Sequence, residues 1–99
     1  MKIKELFSGP DKWTKQFSAL NKERLSVFYD DPNAVCWCLM GAINKCYGNP
    51  DINKENLEVR QKIDNYLLSK GWKQSRVVWN DQLDRQFSEV KEMVEILDI

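Results

Sequence analysis

An uncharged stretch in the first half of the chain most strongly constrains how this sequence can fold. Residues 34–43 read Ala-Val-Cys-Trp-Cys-Leu-Met-Gly-Ala-Ile and carry no charge. Asp31 and Pro32 before the stretch are typical of a helix start, and Gly48 after it is typical of a helix end. A helix that is apolar on every side must be enclosed by the rest of the protein. The sequence therefore predicts a central buried helix over residues 32–47.

Two small residues, Gly41 and Ala42, leave little bulk on part of this predicted helix. Glycine inside a helix costs about 1 kcal/mol relative to alanine, so its presence calls for a packing reason. Small side chains allow another backbone to come close. We therefore predict that a second segment of the chain approaches the helix there.

Two further segments show the apolar spacing of amphipathic helices. They cover residues 52–70 and residues 88–98, the second beginning at Ser88 as a potential cap. Between them, residues 76–79 read Arg-Val-Val-Trp, and their β-branched and aromatic members favour a short strand. Apolar residues make up 42% of the 99, enough for one core and no more. The sequence predicts a single α+β domain over residues 1–99, mainly helical, with at most a short strand pair.

The charge balance argues against polyanions and membranes as partners. The chain has 15 basic and 15 acidic residues, so its net charge is zero and its field is weak. No apolar run approaches the roughly 18 to 20 residues of a membrane span, and the first ten residues lack the apolar centre of a signal peptide. Three cysteines, an odd number, fit a reducing compartment. We expect a cytoplasmic protein that binds neither membranes nor nucleic acid.

The three cysteines, Cys36, Cys38 and Cys46, are the obvious candidates for a metal or redox site. A structural zinc site needs four ligands, and the chain has neither a histidine nor a fourth cysteine. On a helix, Cys36 and Cys38 would lie about 200° apart and could not bind one ion. The pattern favours packing in the core, with no metal and no cofactor. A thiol enzyme at Cys36 stays as an alternative, although no histidine is available as its base.

The sequence Trp79-Asn80-Asp81 is the second candidate site. Short polar side chains at the end of a strand commonly bond backbone amides and fix a turn. Alternatively, Trp37 or Trp79 could form a small pocket with Asp81 and Arg85, in which an aromatic ring stacks on a flat ligand. The sequence is compatible with both the structural turn and the ligand pocket.

Three features of the chain recur together in a known family. They are Trp13, the block Ala-x-Cys-Trp-Cys-Leu-x-Gly-Ala at residues 34–42, and Trp79-Asn80-Asp81. On these features the chain resembles an uncharacterised family of small proteins from bacteria and their phages, a domain of unknown function. That family usually continues with Gly-Arg-Thr, whereas this chain keeps only the arginine, Arg85, and has Ser88 in place of the threonine. The resemblance implies a fold and a bacterial or phage setting, and it brings no established activity.

These observations predict a small interaction or regulatory protein that is not an enzyme. A stable domain without a catalytic set can still expose a surface that binds a partner. We expect a phage-encoded protein that acts by binding a host macromolecule, most simply another protein, and we leave self-association open. The alternative function is binding of a small, nucleotide-like ligand through Trp79, Asp81 and Arg85.

Overall fold

The computed structural model describes all 99 residues as five α-helices, one 3-10 turn and three strands of two residues each. The α+β, mainly helical class predicted from the sequence is confirmed. None of the helices has the length and hydrophobicity needed to cross a bilayer. The elements in chain order are α1 Ile3–Leu6, the 3-10 turn Pro10–Lys12, β1 Ala19–Leu20, β2 Ser26–Val27, β3 Cys36–Trp37, α2 Leu39–Tyr47, α3 Lys54–Ser69, α4 Arg76–Asp81 and α5 Phe87–Leu97.

Helix α2 lies at the centre of the core, as the uncharged stretch predicts. Its residues Leu39, Ala42 and Ile43 are completely buried, and the helix packs against α1, α3 and α4. Helix α5 closes the other side by packing against α1 and α3. Burial of the apolar side chains of these helices is the main source of the stability of the domain.

The predicted start of the central helix at residue 32 is wrong, because the helix begins at Leu39. The Asp31 side chain accepts a hydrogen bond from the Asn33 amide at 2.7 Å and forms a local turn. Beyond this turn, Val35 donates its amide to the Leu20 carbonyl at 2.8 Å, which starts pairing with β1. Cys36 and Trp37 of the uncharged stretch are therefore buried in a strand instead of a helix, and Val35 before them is exposed.

The sheet is larger than the strand pair that the sequence predicts. Its order is β2-β1-β3, and both pairings are antiparallel. Just before β1, the Ser18 carbonyl accepts the Cys38 amide at 3.3 Å and lies directly over Gly41. The predicted close approach of a second backbone at Gly41 is thus confirmed, and the crossing segment is the one that leads into β1.

Residues 76–79, predicted as a strand, form the start of helix α4. The Ser75 hydroxyl accepts the Val78 amide at 3.1 Å and so caps the helix. Arg76 in its first turn donates to both carboxylate oxygens of Asp64 on α3, each at 2.9 Å. The Trp79-Asn80-Asp81 sequence is consequently the last turn of a helix and not the end of a strand.

The two predicted amphipathic helices are present, and their first and last residues differ slightly from the predicted ones. Helix α3 begins after Asn53, whose side chain accepts the Glu55 amide at 3.1 Å. Helix α5 begins one residue earlier than predicted. Its start is capped by Gln86, whose amide donates to the Glu89 carboxylate at 2.9 Å, and the predicted cap, Ser88, lies inside the helix.

Candidate functional site

Asn80 is the centre of the candidate site, and its side chain is almost fully buried at 1% exposure. Its oxygen accepts hydrogen bonds from the Trp13 indole at 2.7 Å and from the Leu39 amide at 3.1 Å. Its nitrogen donates to the Thr14 carbonyl at 3.2 Å and to the Asp81 carboxylate at 2.9 Å. These four bonds use the two acceptor and two donor positions of the amide.

The orientation of the Asn80 amide follows from its partners. An indole N–H and a backbone N–H only donate, so both must face the amide oxygen, and a carbonyl only accepts, so it must face the nitrogen. The single side chain therefore links the segment at Trp13 and Thr14, the start of α2 at Leu39, and the end of α4. It connects three parts of the chain that are distant in sequence.

Asp81 stabilises an unusual backbone conformation in the N-terminal segment. Its Oδ1 accepts the Gln16 amide at 2.8 Å as well as the Asn80 side chain. Gln16 has a φ of 73°, in the left-handed region that residues other than glycine seldom adopt. The hydrogen bond to the Asp81 carboxylate helps to stabilise this backbone conformation. Asp81 therefore bonds to other parts of the fold.

Arg85 covers the face of Trp79. The centre of its guanidinium lies 4.1 Å from the centroid of the Trp79 ring, which is a cation–π contact. Its Nε donates to the Trp79 carbonyl at 2.9 Å, and its Nη1 pairs with Glu89 of α5 at 2.8 Å. The arrangement fixes the loop between α4 and α5 and occupies the ring face that was predicted to stack on a ligand.

A shallow groove of about 380 Å³ lies beside this stack, and we call it the aromatic groove. Trp79 and Arg85 reach it, whereas Asn80, Asp81 and Trp37 do not. It carries both signs of charge and three aromatic rings. Its lining residues are Tyr66, Leu67, Lys70, Gly71, Trp72, Trp79, Arg85, Glu89 and Glu92.

Trp37, the remaining predicted site residue, belongs to the sheet. Its indole donates to the Tyr29 carbonyl at 2.9 Å, and its own carbonyl accepts the Thr14 amide at 3.0 Å. The ring is buried in the core. The structure therefore divides the predicted residues. Asn80 and Asp81 bond to the N-terminal segment, Trp79 and Arg85 stack beside the aromatic groove, and Trp37 lies in the sheet.

The cysteines do not form a joint site. Cys36 is completely buried in β3, so its predicted position at the start of a helix is wrong, and the Arg24 guanidinium lies 3.6 Å from its sulfur. Burial raises the pKa of Cys38, whose sulfur accepts the Gly41 amide at 3.4 Å as the cap of α2. Burial also raises the pKa of Cys46 to about 11. No group of three or more Cys, Asp and Glu side chains lies close enough together to hold a metal ion.

The partners of the site in the N-terminal segment are not predictable from the sequence. Trp13, Thr14, Lys15 and Gln16 all contact the end of α4 or the loop after it, from 65 to 68 residues away along the chain. No local sequence pattern predicts contacts between residues so far apart along the chain. Trp13 was recognised as part of a family motif, and its bond to Asn80 gives a physical reason for the joint occurrence of the two motifs.

The contacts define a small α+β domain in which the Trp-Asn-Asp sequence joins helix α4 to the N-terminal segment. The chain belongs to a family described as "Family of unknown function (DUF6197)", whose sequence profile matches residues 8–96. This membership confirms the resemblance to an uncharacterised domain. No curated protein and no solved structure matches the chain.

Proposed function

We propose that this protein is a small regulator that binds another protein and is not an enzyme. The observation that carries the proposal is Leu83, whose side chain is 97% exposed on the loop between α4 and α5. In this proposal the chain is encoded by a phage, and its partner is a protein in the cytoplasm of the bacterial host.

The loop that presents Leu83 is held firmly. The Lys15 ammonium donates to the Gln82 carbonyl at 2.6 Å and to the Leu83 carbonyl at 2.9 Å. On the other side, the Arg85 amide donates to the Gln82 carbonyl at 3.0 Å. An exposed leucine on a flexible loop would not by itself indicate a binding site, because single apolar residues are common on protein surfaces. Here the backbone on both sides of the side chain is fixed.

Exposed apolar side chains also occur on the two segments next to this loop, the N-terminal segment that is hydrogen-bonded to it and helix α4 that precedes it. Phe17 follows Gln16, whose amide is bonded to Asp81, and Val77 lies one helical turn before Asp81 on α4. Phe17, Val77 and the adjacent Val78 are all exposed. We call Phe17, Val77, Val78 and Leu83 the loop surface.

A surface of this kind suits protein recognition. Partners gain binding energy by removing such apolar groups from water, and a fixed backbone reduces the ordering cost of association. By contrast, the polar groups of the candidate site are bonded within the fold, and burial raises the pKa of the Cys38 and Cys46 thiols. The proposal therefore places the interaction on the loop surface and not at the Trp-Asn-Asp sequence.

The test compares two single substitutions of exposed residues. Immobilised wild-type protein, Leu83→Asp and Ile52→Asp are exposed to a bacterial lysate with the protein at micromolar concentration. Ile52 is 87% exposed just before α3, so it matches Leu83 in chemistry and exposure but lies outside the loop surface. A partner should be retained by wild type and Ile52→Asp and weakened about tenfold or more by Leu83→Asp. Equal retention by all three, or no retained protein, would contradict the proposal.

The aromatic groove supports a second candidate, a small planar ligand of nucleotide type. Lys70 lies 5.4 Å from the centroid of the Tyr66 ring and Arg85 lies 5.7 Å from that of Trp72, so aromatic rings and cations meet in the groove, as the base and the phosphate of a nucleotide together require. A ligand would have to displace these cations from the rings. Asp81, which the sequence analysis included in this site, does not line the groove. A nucleotide at 100 times its dissociation constant should stabilise the fold by about 2.7 kcal/mol in thermal unfolding, and Trp72→Ala should abolish the effect. No stabilisation across a nucleotide panel would rule this candidate out.

A further inference from the structure

The backbone of Leu83 depends on one other residue for its hydrogen bonding. The amides of Leu83 and Asp84 form no hydrogen bond within the chain. The Leu83 carbonyl accepts one hydrogen bond, from the Lys15 ammonium at 2.9 Å. The side chain of Lys15 is thus the only group that fixes the main chain of the most exposed residue of the loop surface.

The same ammonium caps the end of helix α4. It donates to the carbonyl of Gln82, the C-cap residue, at 2.6 Å, and Leu83 follows directly. The last carbonyls of a helix have no partner inside the helix, and lysine side chains commonly bond them. Lys15 performs this role from a distant part of the chain.

The position of the Lys15 ammonium is determined by the candidate site. It lies 5.5 Å from the centroid of the Trp13 ring, in a cation–π contact. The Trp13 indole is bonded to Asn80, and the Gln16 amide is bonded to Asp81. The chain is therefore attached to α4 on both sides of Lys15, and these attachments do not involve the ammonium.

The ammonium has no carboxylate partner that would compete with the loop. Lys15 forms no ion pair within the chain. Both of its hydrogen bonds go to loop carbonyls, and bonds from a charged donor are stronger than those between neutral groups. Removing the charge should therefore loosen the loop and leave the surrounding fold in place.

We propose that Lys15 is the positioning residue of the loop surface, an inference that rests on the proposed function. Its ammonium holds the Leu83 backbone in one conformation before a partner arrives, so association does not have to order the loop. Without the ammonium, Leu83 stays exposed on a mobile backbone. Partner affinity then falls although the apolar group is still present.

Hydrogen exchange of the folded protein tests the clamp without any partner. The Arg85 amide, which is bonded to the Gln82 carbonyl at 3.0 Å, reports opening of the loop. In Lys15→Met it should exchange about tenfold faster or more, whereas the amides of the buried helix α2 should change by less than about threefold. Lys15→Arg keeps a charged donor and should restore slow exchange. Lys12→Met, in the 3-10 turn of the same segment, is the matched control, because Lys12 takes no part in these bonds.

The same variants are then compared in partner capture from bacterial lysate. Lys15→Met should weaken retention of the partner about tenfold or more, and Lys15→Arg and Lys12→Met should retain it like wild type. Leu83→Asp should lose the partner while its Arg85 amide exchanges at the wild-type rate, because the Leu83 side chain takes no part in the clamp.

Three results would overturn the positioning role. They are unchanged exchange of the Arg85 amide in Lys15→Met, faster exchange with undiminished partner retention, and a Lys15→Arg variant that behaves like Lys15→Met. Failure of the proposed function is different. It would appear as no retained partner, or as equal retention by wild type and Leu83→Asp, and the exchange rates would then decide by themselves whether Lys15 holds the loop.

Discussion

The carbonyl oxygen of Ser18 lies 1.9 Å from the point that a Cβ atom would occupy on Gly41. No side chain can share that space, and the obstructing atom belongs to a backbone that leads directly into β1. The same carbonyl accepts the Cys38 amide at the start of α2. The sheet and the central helix can therefore meet in this way only with glycine at position 41.

Gly41→Ala should destabilise the protein by about 1 to 3 kcal/mol, because either α2 or the segment before β1 must move away. The midpoint of urea unfolding, at unchanged slope, measures the effect. Gly9→Ala is the matched control. A Cβ there would meet only the flexible Asp11 carboxylate, so the change should be small. Equal midpoints for Gly41→Ala and wild type would show that the crossing is looser than described.

Asn80→Ala should cost about 2 to 4 kcal/mol of unfolding free energy. The truncation leaves the Trp13 indole, the Leu39 amide and the Thr14 carbonyl without their partner, and each unpaired buried group is costly. Trp13 should also change its fluorescence, because its indole loses a hydrogen bond. Asn65→Ala, on the exposed surface of α3, is the control and should leave both readouts almost unchanged. A variant as stable as wild type would refute the central role of Asn80.

The two ends of the chain should contribute a stability that depends on pH. Asp98 lies 2.8 Å from the Lys2 ammonium and 2.6 Å from the Lys4 ammonium. The hydrogen bond from Lys2, followed by that from Lys4, lowers the pKa of Asp98 to about 2, and the bond to Asp98 raises the pKa of Lys4. The Asp98 contribution is thus complete above the ordinary carboxyl pKa of about 3.9 and is lost as the pH falls through about 2.

Asp98→Asn tests this dependence. The variant should unfold at lower urea than wild type at pH near 6, and the two midpoints should converge as the pH approaches about 2. The contribution of Lys4 has the opposite sign of dependence and is lost as the pH rises above its raised pKa. Glu58→Gln, which alters a weak exposed pair with Lys54 at 4.0 Å, is the control. A constant difference between wild type and Asp98→Asn at all pH values would contradict the assignment.

The thiols should resist alkylation in the folded protein. Burial raises the pKa of Cys46 to about 11, so its thiolate is rare at neutral pH. Labelling with iodoacetamide should be slow at neutral pH and should accelerate as the pH rises toward 11. In urea the labelling rate should reach that of an exposed cysteine. Mass spectrometry of the labelled peptides separates the three cysteines. Rapid labelling of native Cys36 at neutral pH would support the thiol enzyme instead.

The fold is predictable from the sequence where local spacing decides the structure. Helices α3 and α5 follow from apolar periodicity, and the close approach at Gly41 follows from a glycine inside an apolar helix. The fold is not predictable from the sequence where two local signals compete. Asp31 and Pro32 resemble a helix start, but pairing with β1 takes the following residues into a strand. Likewise Val77 and Val78 favour a strand, but Ser75 caps a helix that begins just before them, and the segment is helical.

The candidate site was only partly accessible from the sequence. Trp79, Asn80, Asp81 and Arg85 were identified because they are close together along the chain and carry polar or aromatic groups. Their partners near Trp13 were not, because those contacts span some 65 residues and depend on the whole fold. Leu83 was also missed, since an apolar residue in a short polar loop has no periodic pattern to mark it.

Photocrosslinking from position 83 tests the proposed interaction most directly. Benzoylphenylalanine is placed at position 83 in one protein and at position 52 in a second, and both are irradiated in bacterial lysate. We predict a discrete crosslinked partner from position 83 and none from position 52. The same products from both positions, or no product from position 83, would contradict a partner-binding role for the loop surface.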